Sequence, residues 1–584
     1  MAGFSVAWLI GSLVTYFVLG FLKNFYPAVW QLILWGVAYQ TIAVTIFYYL
    51  ARTIRFDLAR HGLSLLILLA VFVFSGAVIW MLTGYPHWFD VRFFLLSGPA
   101  LAWFAGLIVG SALWIAALLI FFEQRGVEKS FLSSRFFGFL RANLAGILLA
   151  LLFFSAYFSL AVAYSVVLRD PTRNFDDNFY DGDPTSWMNR FAAPAAQLID
   201  MRPVHPFAFL IFRPLTWWIA LLLNGNTFYA ALLLNAGVGG VCVLLAWMIV
   251  RRWTNTAYAL LIASVLGASV AHLLFSTYLE TYIFSAASLL AFVLALQSEN
   301  KSLKALVPIG LLVFGITITN FIQTGILFLF TDGQAVRRTL FSGSASSENK
   351  IRLSSFISKG WCDAPMGRII RYGLIVLASA AALAYLQVRL YPTSQPFYDI
   401  TYMLAERRYS ISSNTPDRIY KRGYVMARTI TLFSVVGPRP LALLKEVGCT
   451  FPCFKTYKPH YGADLITSYA GFGSGLARVW FGILLLALGL YLWKLFKSPK
   501  SVPLESALLL IILFNFFLHV FYGDDPLLYS PDWTYAVVLF VALGFKDFAD
   551  NKWLQLAGLV FLSALMVNNW GFLHAMLVDV APYF

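Results

Sequence analysis

The sequence predicts an all-α, polytopic transmembrane helical bundle of about 13–15 spans, and three observations carry that reading. Hydrophobic residues make up 60% of the 584, and charged residues only 12%, about half the roughly 25% of a soluble domain. A globule with so little charge cannot cover its own surface. The apolar residues run unbroken for about 20 positions at a time, long enough to cross a bilayer as a helix. They do not alternate with polar ones, which excludes a membrane β-barrel. The same composition excludes a soluble enzyme, a disordered chain and a disulfide-rich secreted module.

The spans are justified in chain order. Phe4–Leu22 is long enough to cross, and Lys23 follows it where a cleavable signal peptide would carry small residues, so it reads as a retained span. Ala28–Leu50, Leu63–Thr83, Phe93–Phe122 and Leu144–Leu168 follow, then Thr227–Val250, Thr256–Phe275 and Thr281–Leu296. The rest are Ala305–Thr319, Phe321–Val336, Tyr372–Val388, Val479–Trp493, Ser506–Phe521, Thr534–Phe545 and Leu554–Leu577, several of them short.

Lys and Arg in short loops orient these spans, because such loops stay cytoplasmic. Arg52, Arg55 and Arg60 place the second connection inside, so the N-terminus is inside. Arg125, Lys129, Arg135 and Arg141 place the fourth inside, as do Lys494, Lys497 and Lys500 late in the chain and the basic stretch Asp332–Arg371. Pro206–Leu223 is apolar but carries Arg213-Pro214 in its middle. Read as a juxtamembrane helix on the outer face, it lets Arg251-Arg252 fall inside, and its Trp217-Trp218 pair suits the interface. The net charge of +15 then belongs to loops facing anionic lipid, not to nucleic-acid binding. The expected location is the plasma (inner) membrane, N-terminus cytoplasmic.

Four regions result: an N-terminal four-span accessory region (1–142), a core (143–389), an extracytoplasmic loop domain (390–475) and C-terminal spans (476–584). The core holds the first external loop (169–206) and the juxtamembrane helix (206–223). Cys449 and Cys453 form a CxxxC in the second external loop, open either to a local disulfide or to free thiols.

Acidic residues are scarce, so their placement informs. The first loop reads RDPTRNFDDNFYDGDPTSWMNRF, with Asp170, Asp176, Asp177, Asp181 and Asp183 close together. This is either a solvated loop or a carboxylate site, acting as a general base or holding a divalent cation through oxygen ligands. Glu280 in STYLETYIF stands at the same external level, as a span cap or as part of that site. HVFYGDDPLLYSPDW brings Asp524, Asp525 and Asp532 to an external turn beside Tyr522, Tyr529 and Trp533. Rings beside carboxylates suit sugar, whose apolar face stacks while its hydroxyls bond to acids; an aromatic belt is the alternative. In AERRYSISSNTPDRIYKRGY, Arg407, Arg408, Arg418, Lys421 and Arg422 could grip a phosphate or line a solvated helix face. His205 in RPVHPF orients a carboxylate or phosphate, or serves as a structural cap.

A span, an external loop with an acidic pair, and a juxtamembrane helix opened by His-Pro resemble the C-type (GT-C) superfamily of integral membrane glycosyltransferases, which includes protein O-mannosyltransferases and the aminoarabinose transferases of lipid A. FDDNFYDGD stands where those enzymes carry their catalytic acidic pair, and MRPVHPFAFLIFRPL, NGNTFYAALLLNAGVGG and Arg251-Arg252 resemble the helix region after it. The likeness spans about Leu144–Phe584 in topology; the first four spans have no counterpart and are expected to bind a membrane-protein partner. The resemblance implies a polyprenyl-phosphate sugar donor, an envelope acceptor (glycan, lipid or protein) and an extracytoplasmic active site working with inversion. Asp176 would be the base, with Asp177 beside it. His205, Glu280, Asp524, Asp525, Tyr529, Arg407, Arg408, Lys421 and Arg422 would bind substrate. No cofactor is certain, and a divalent cation is compatible. Other readings are an O-antigen-type polymerase or ligase, a lipid or solute transporter, and a non-catalytic membrane subunit. Scarce charge within the spans disfavours transport.

Overall fold

The computed structural model describes residues 2–53, 58–169, 174–193, 200–298, 302–332, 365–410, 415–438, 443–444, 453–454, 457–458, 464–465, 468–523 and 525–580. Ten helices among them are long and apolar enough to cross a membrane, and six shorter apolar helices join them. The protein is a multi-pass helical membrane protein. Among the described residues, β structure is limited to isolated bridges and two tiny antiparallel pairs, β1 (Leu443–Leu444) with β2 (Cys453–Phe454) and β3 (Tyr457–Lys458) with β4 (Asp464–Leu465).

The first helices are α1 (Ala2–Leu22), α2 (Val29–Thr53), α3 (Leu58–Leu82), α4 (Pro99–Gln124), α5 (Val127–Ser133) and α6 (Arg135–Leu168). The four N-terminal spans do not form one packed unit. Helices α1, α2 and α4 pack on one another, while α3 packs on α6 and on two helices of the core, α10 (Thr256–Ala268) and α21 (Lys552–Val580). Polar side chains join the three-helix unit: Gln40 Nε2 donates to Ser12 Oγ (2.9 Å) and Ser111 Oγ (3.2 Å), and Trp8 Nε1 to Ser111 Oγ (3.0 Å). Lipid offers no hydrophobic drive between helices, so such bonds and close packing hold them.

The core is built around α9 (Thr227–Arg251), which packs on α6, α10, α7 (Pro184–Ala192), α8 (Ala208–Leu221) and α12 (Tyr282–Leu296). The run read as one span, Thr256–Phe275, is broken instead. Ser269 is extended (ψ 149°) and separates α10 from α11 (Val270–Phe275). The break persists because Asn569 Nδ2 donates to Ala268 O (2.7 Å), and Val270 and Ala271 donate to Val435 O and Ser434 O (3.3 and 3.0 Å). An apolar sequence cannot reveal such partners. Helices α13 (Leu303–Ile316) and α14 (Phe321–Asp332) meet at a tight turn over 317–320. The remaining helices are α15 (Pro365–Leu390), α16 (Ile400–Ala405), α17 (Pro416–Arg428), α18 (Gly471–Lys497), α19 (Pro503–Phe521) and α20 (Pro531–Gly544).

Helices α10, α12, α13, α14 and α20 have 12–15 residues each, so they are about 18–22 Å long against a hydrocarbon core of about 30 Å. One end of the bundle is therefore sunken. Asn235 Nδ2, eight residues into α9 and about 12 Å from its start, donates to Phe275 O and Tyr278 O (3.1 and 3.2 Å). The turn that carries Glu280 thus lies beside the body of α9.

Candidate functional site

The first acidic loop fills this recess. Phe175, Phe179, Tyr180, Trp187, Met188 and Phe191 are all buried, so the loop is packed protein and not a solvated connection. Its backbone is tight: Asp177, Tyr180 and Asp181 have φ of 65°, 55° and 59°, a left-handed conformation that costs a non-glycine residue about 1–3 kcal/mol and persists only when its surroundings enforce it. Two tethers do so here. Asp177 N donates to Gly182 O (2.8 Å), and Gly182 lies so close to Tyr278 that a Cβ would sit 2.7 Å from its Oη.

Each acid of the loop has a different fate. Asp176 accepts from Thr185 N (2.9 Å), Ser186 N (3.1 Å) and Ser186 Oγ (2.5 Å), so it caps the start of α7, where the first N–H groups lack helical partners. Asp177 is exposed. Asp183 leads into α7 without capping it, and its carboxyl is half-buried. Burial, then the charge of Asp176, pushes its pKa up to about 6. Glu280 is wholly buried and receives Asp183 N on Oε1 (2.5 Å); burial holds its pKa well above the carboxylate range.

The cations of the site come from the loop itself. Arg190 of α7 lies over Trp187 (4.6 Å), donates to Asp200 O (3.2 Å) and feels Asp183, Glu280 and Asp176. Arg202 forms an ion pair with Glu406, covers the Tyr409 ring at 4.0 Å and reaches Tyr522 Oη (3.3 Å), which itself donates to Glu406 (3.2 Å). The segment that follows α15 closes over the loop through its backbone. Tyr180 N donates to Phe454 O (2.7 Å), Phe454 N to Asn178 O (2.8 Å), and the Phe454 ring stacks on Phe179. Gln395 N donates to Met201 O (2.9 Å).

The third turn also converges. Tyr529 packs edge-on against Tyr282 (5.4 Å) and stacks on His519 (4.2 Å). Tyr282 feels Tyr529, Glu280 and Asp532. Asp525 caps the turn Pro526–Tyr529 by accepting from Leu527 N (2.9 Å) and lies near Tyr180. Buried polar atoms without a protein partner gather here: Tyr180 Oη, Thr281 Oγ1, Asp532 Oδ1 and Trp533 Nε1. Such atoms are normally satisfied by water or ligand.

The sequence candidates therefore part ways. Asp176 and Glu280 come together around Asp183, with Asp177 at the rim; Tyr529 packs against Tyr282, which feels Glu280, and Asp525 lies near Tyr180. His205 lies among them as a packing residue: Nδ1 pairs with Ile316 O (2.5 Å), the ring meets Trp187 edge-on, and burial lowers its pKa to about 3. The cations of the basic segment are placed differently from one another. Arg407 and Arg408 are exposed, Lys421 pairs with Asp417 (3.1 Å), and Arg422 is buried, bonding the carbonyls of His519, Tyr522 and Gly523. Asp170, Asp524 and Cys449, one of the two thiols of the CxxxC, lie outside the described residues. Sequence reasoning named Asp183 only as one acid of the loop and did not single out Arg190, Arg202 or Glu406. The signals were present: the DGD triplet ends in Asp183, and Arg202 precedes His205 by three residues. Among the described residues no three His, Cys, Asp or Glu side chains are arranged to hold a metal ion. No protein-family model matches this sequence, and no curated protein is significantly similar to it.

Proposed function

We propose that this chain is an integral membrane glycosyltransferase that moves a sugar from a polyprenyl-phosphate donor to an acceptor hydroxyl at the sunken end of the bundle, with Asp183 as general base. The observation that carries the reading is Asp183 itself. Among the described residues its carboxylate accepts no hydrogen bond, whereas Asp176 accepts three and is spent on the start of α7. A pKa raised to about 6 suits proton abstraction near neutral pH. Asp183 takes the acceptor proton while the acceptor oxygen bonds the anomeric carbon. The bond from that carbon to the phosphate oxygen breaks, the phosphate leaves with the electron pair, and configuration inverts. Arg190, whose guanidinium makes a single hydrogen bond among the described residues, is the nearby cation for the charge developing on phosphate. Tyr282 and Tyr529, partly exposed beside the acids, supply sugar-stacking surfaces. The test is sugar transfer from a polyprenyl-phosphate-linked hexose by the purified protein: wild type transfers, and Asp183→Asn is slower by about 10²–10⁴-fold. Equal rates would remove the mechanism.

A specific observation favours transport as the second reading. Asp532, in the first turn of α20, is buried with Oδ1 unpartnered, beside Asn320 in the turn between α13 and α14. A buried acid next to interrupted helices is a pattern of substrate or ion pathways. Uptake into proteoliposomes without any transfer would favour it.

A further inference from the structure

Glu280 accepts from two backbone groups, Asp183 N (2.5 Å) and Thr281 N (3.3 Å), and is buried at 2% exposure. No Lys or Arg among the described residues forms an ion pair with it. Arg190 is turned to Asp200 O and Trp187, and Arg202 is bound to Glu406. The groups facing the pair are Asp176, Asp177 and Asp181 of the loop, Arg190 of α7, and Arg202 before α8. Tyr278 and Tyr282 flank it, with Tyr529 and Asp532 beyond Tyr282. A second anion here would be desolvated, unpaired and beside other carboxylates, and a group so placed neutralises instead. The deeper carboxyl keeps the proton, since water solvates the half-buried one better.

We propose that Glu280 is a positioning residue that holds Asp183 through the backbone hydrogen bond and does so as a neutral carboxylic acid, leaving the negative charge of the pair on Asp183. This rests on the transferase reading for its kinetic arm only. The tether fixes the entry to α7 and hence where the Asp183 carboxyl stands. A neutral Glu280 needs only a carbonyl-type oxygen for that task, and glutamine has one in the same place.

The experiment compares Glu280→Gln and Glu280→Ala in the full-length purified protein, by the pH profile of transfer from a polyprenyl-phosphate-linked hexose and by melting temperature across pH 5–8. Glu280→Ala should lose about 10-fold or more in kcat with a smaller change in KM, because misplacing a catalytic group by about 1 Å costs up to about 10²-fold. Glu280→Gln should restore most of that loss with the wild-type pH midpoint, and its melting temperature should gain on wild type as pH rises from 5 to 8, because the folded wild type keeps a proton that its unfolded chain releases. Activity as low as Glu280→Ala, a shifted midpoint, or a melting difference between Glu280→Gln and wild type that stays flat across pH 5–8 would each overturn the proposal, the last by showing that wild-type Glu280 is ionised in the folded protein as it is in the unfolded chain. If wild type transfers nothing, the transferase reading fails, and the melting arm still decides the state of Glu280.

Discussion

The acidic first loop and the basic stretch Arg407–Arg422 look equivalent as sequence: each is a short polar run between apolar spans. In the fold they are opposites. The acidic loop is buried, its backbone is forced into left-handed turns, and it converges with Glu280 and the third turn. The basic stretch keeps Arg407 and Arg408 in the open and commits Lys421 and Arg422 to Asp417 and to backbone carbonyls. The difference teaches that a charged side chain is available for chemistry only if the fold leaves it unspent. Asp176 and Asp183, seven positions apart, repeat the lesson inside one loop: one is a helix cap and the other is free.

The largest effect that would sharpen this contrast is the loss of transfer in Asp183→Asn, about 10²–10⁴-fold, beside a much smaller kinetic loss in Asp177→Asn at the exposed rim. A double variant losing no activity would collapse the contrast. Next comes Arg202→Ala, which strands the buried Glu406 carboxylate. Breaking a buried pair costs on the order of 3 kcal/mol, read as a lower melting temperature in detergent. Arg202→Lys should recover little of it, because the ion pair and the Tyr409 stacking both use the guanidinium plane. Asp176→Ala removes a three-bond helix cap and should cost about 1–2 kcal/mol, with Asp176→Asn intermediate; unchanged melting would show that Asp176 is not spent on α7.

The pH dependence carries a definite sign. Because the folded pKa of Asp183 is raised to about 6 from 3.8, its folded state holds the proton more tightly than the unfolded chain does. The stabilisation is complete below about pH 4 and fades as pH rises through 6. Asp183→Asn should therefore gain melting temperature over wild type at pH 7.5 and lose that gain by pH 4. Wild-type transfer should rise through pH 6 as the base ionises. A gain independent of pH would mean that Asp183 does not titrate there. The smallest effect belongs to Arg407→Gln with Arg408→Gln, within about 0.5 kcal/mol and with transfer unchanged. A large kinetic loss in that variant would return the phosphate role to the basic segment.

Composition and apolar run length alone were enough for the membrane class, the long spans and the grouping of the acidic turns. Those features are local: an apolar run of sufficient length must be a helix in lipid because its backbone has no other partner. The sequence also exposed every acid and cation of the site as a residue. Only the tertiary structure decided which of them are free. The deciding contacts join residues far apart, Asp183 with Glu280 across 97 positions and Arg202 with Glu406 across 204. The break at Ser269 and the removal of α3 from its sequence neighbours have the same origin. Capping, pairing and burial depend on partners brought in by other segments, and no periodicity in one segment encodes the identity of a distant one.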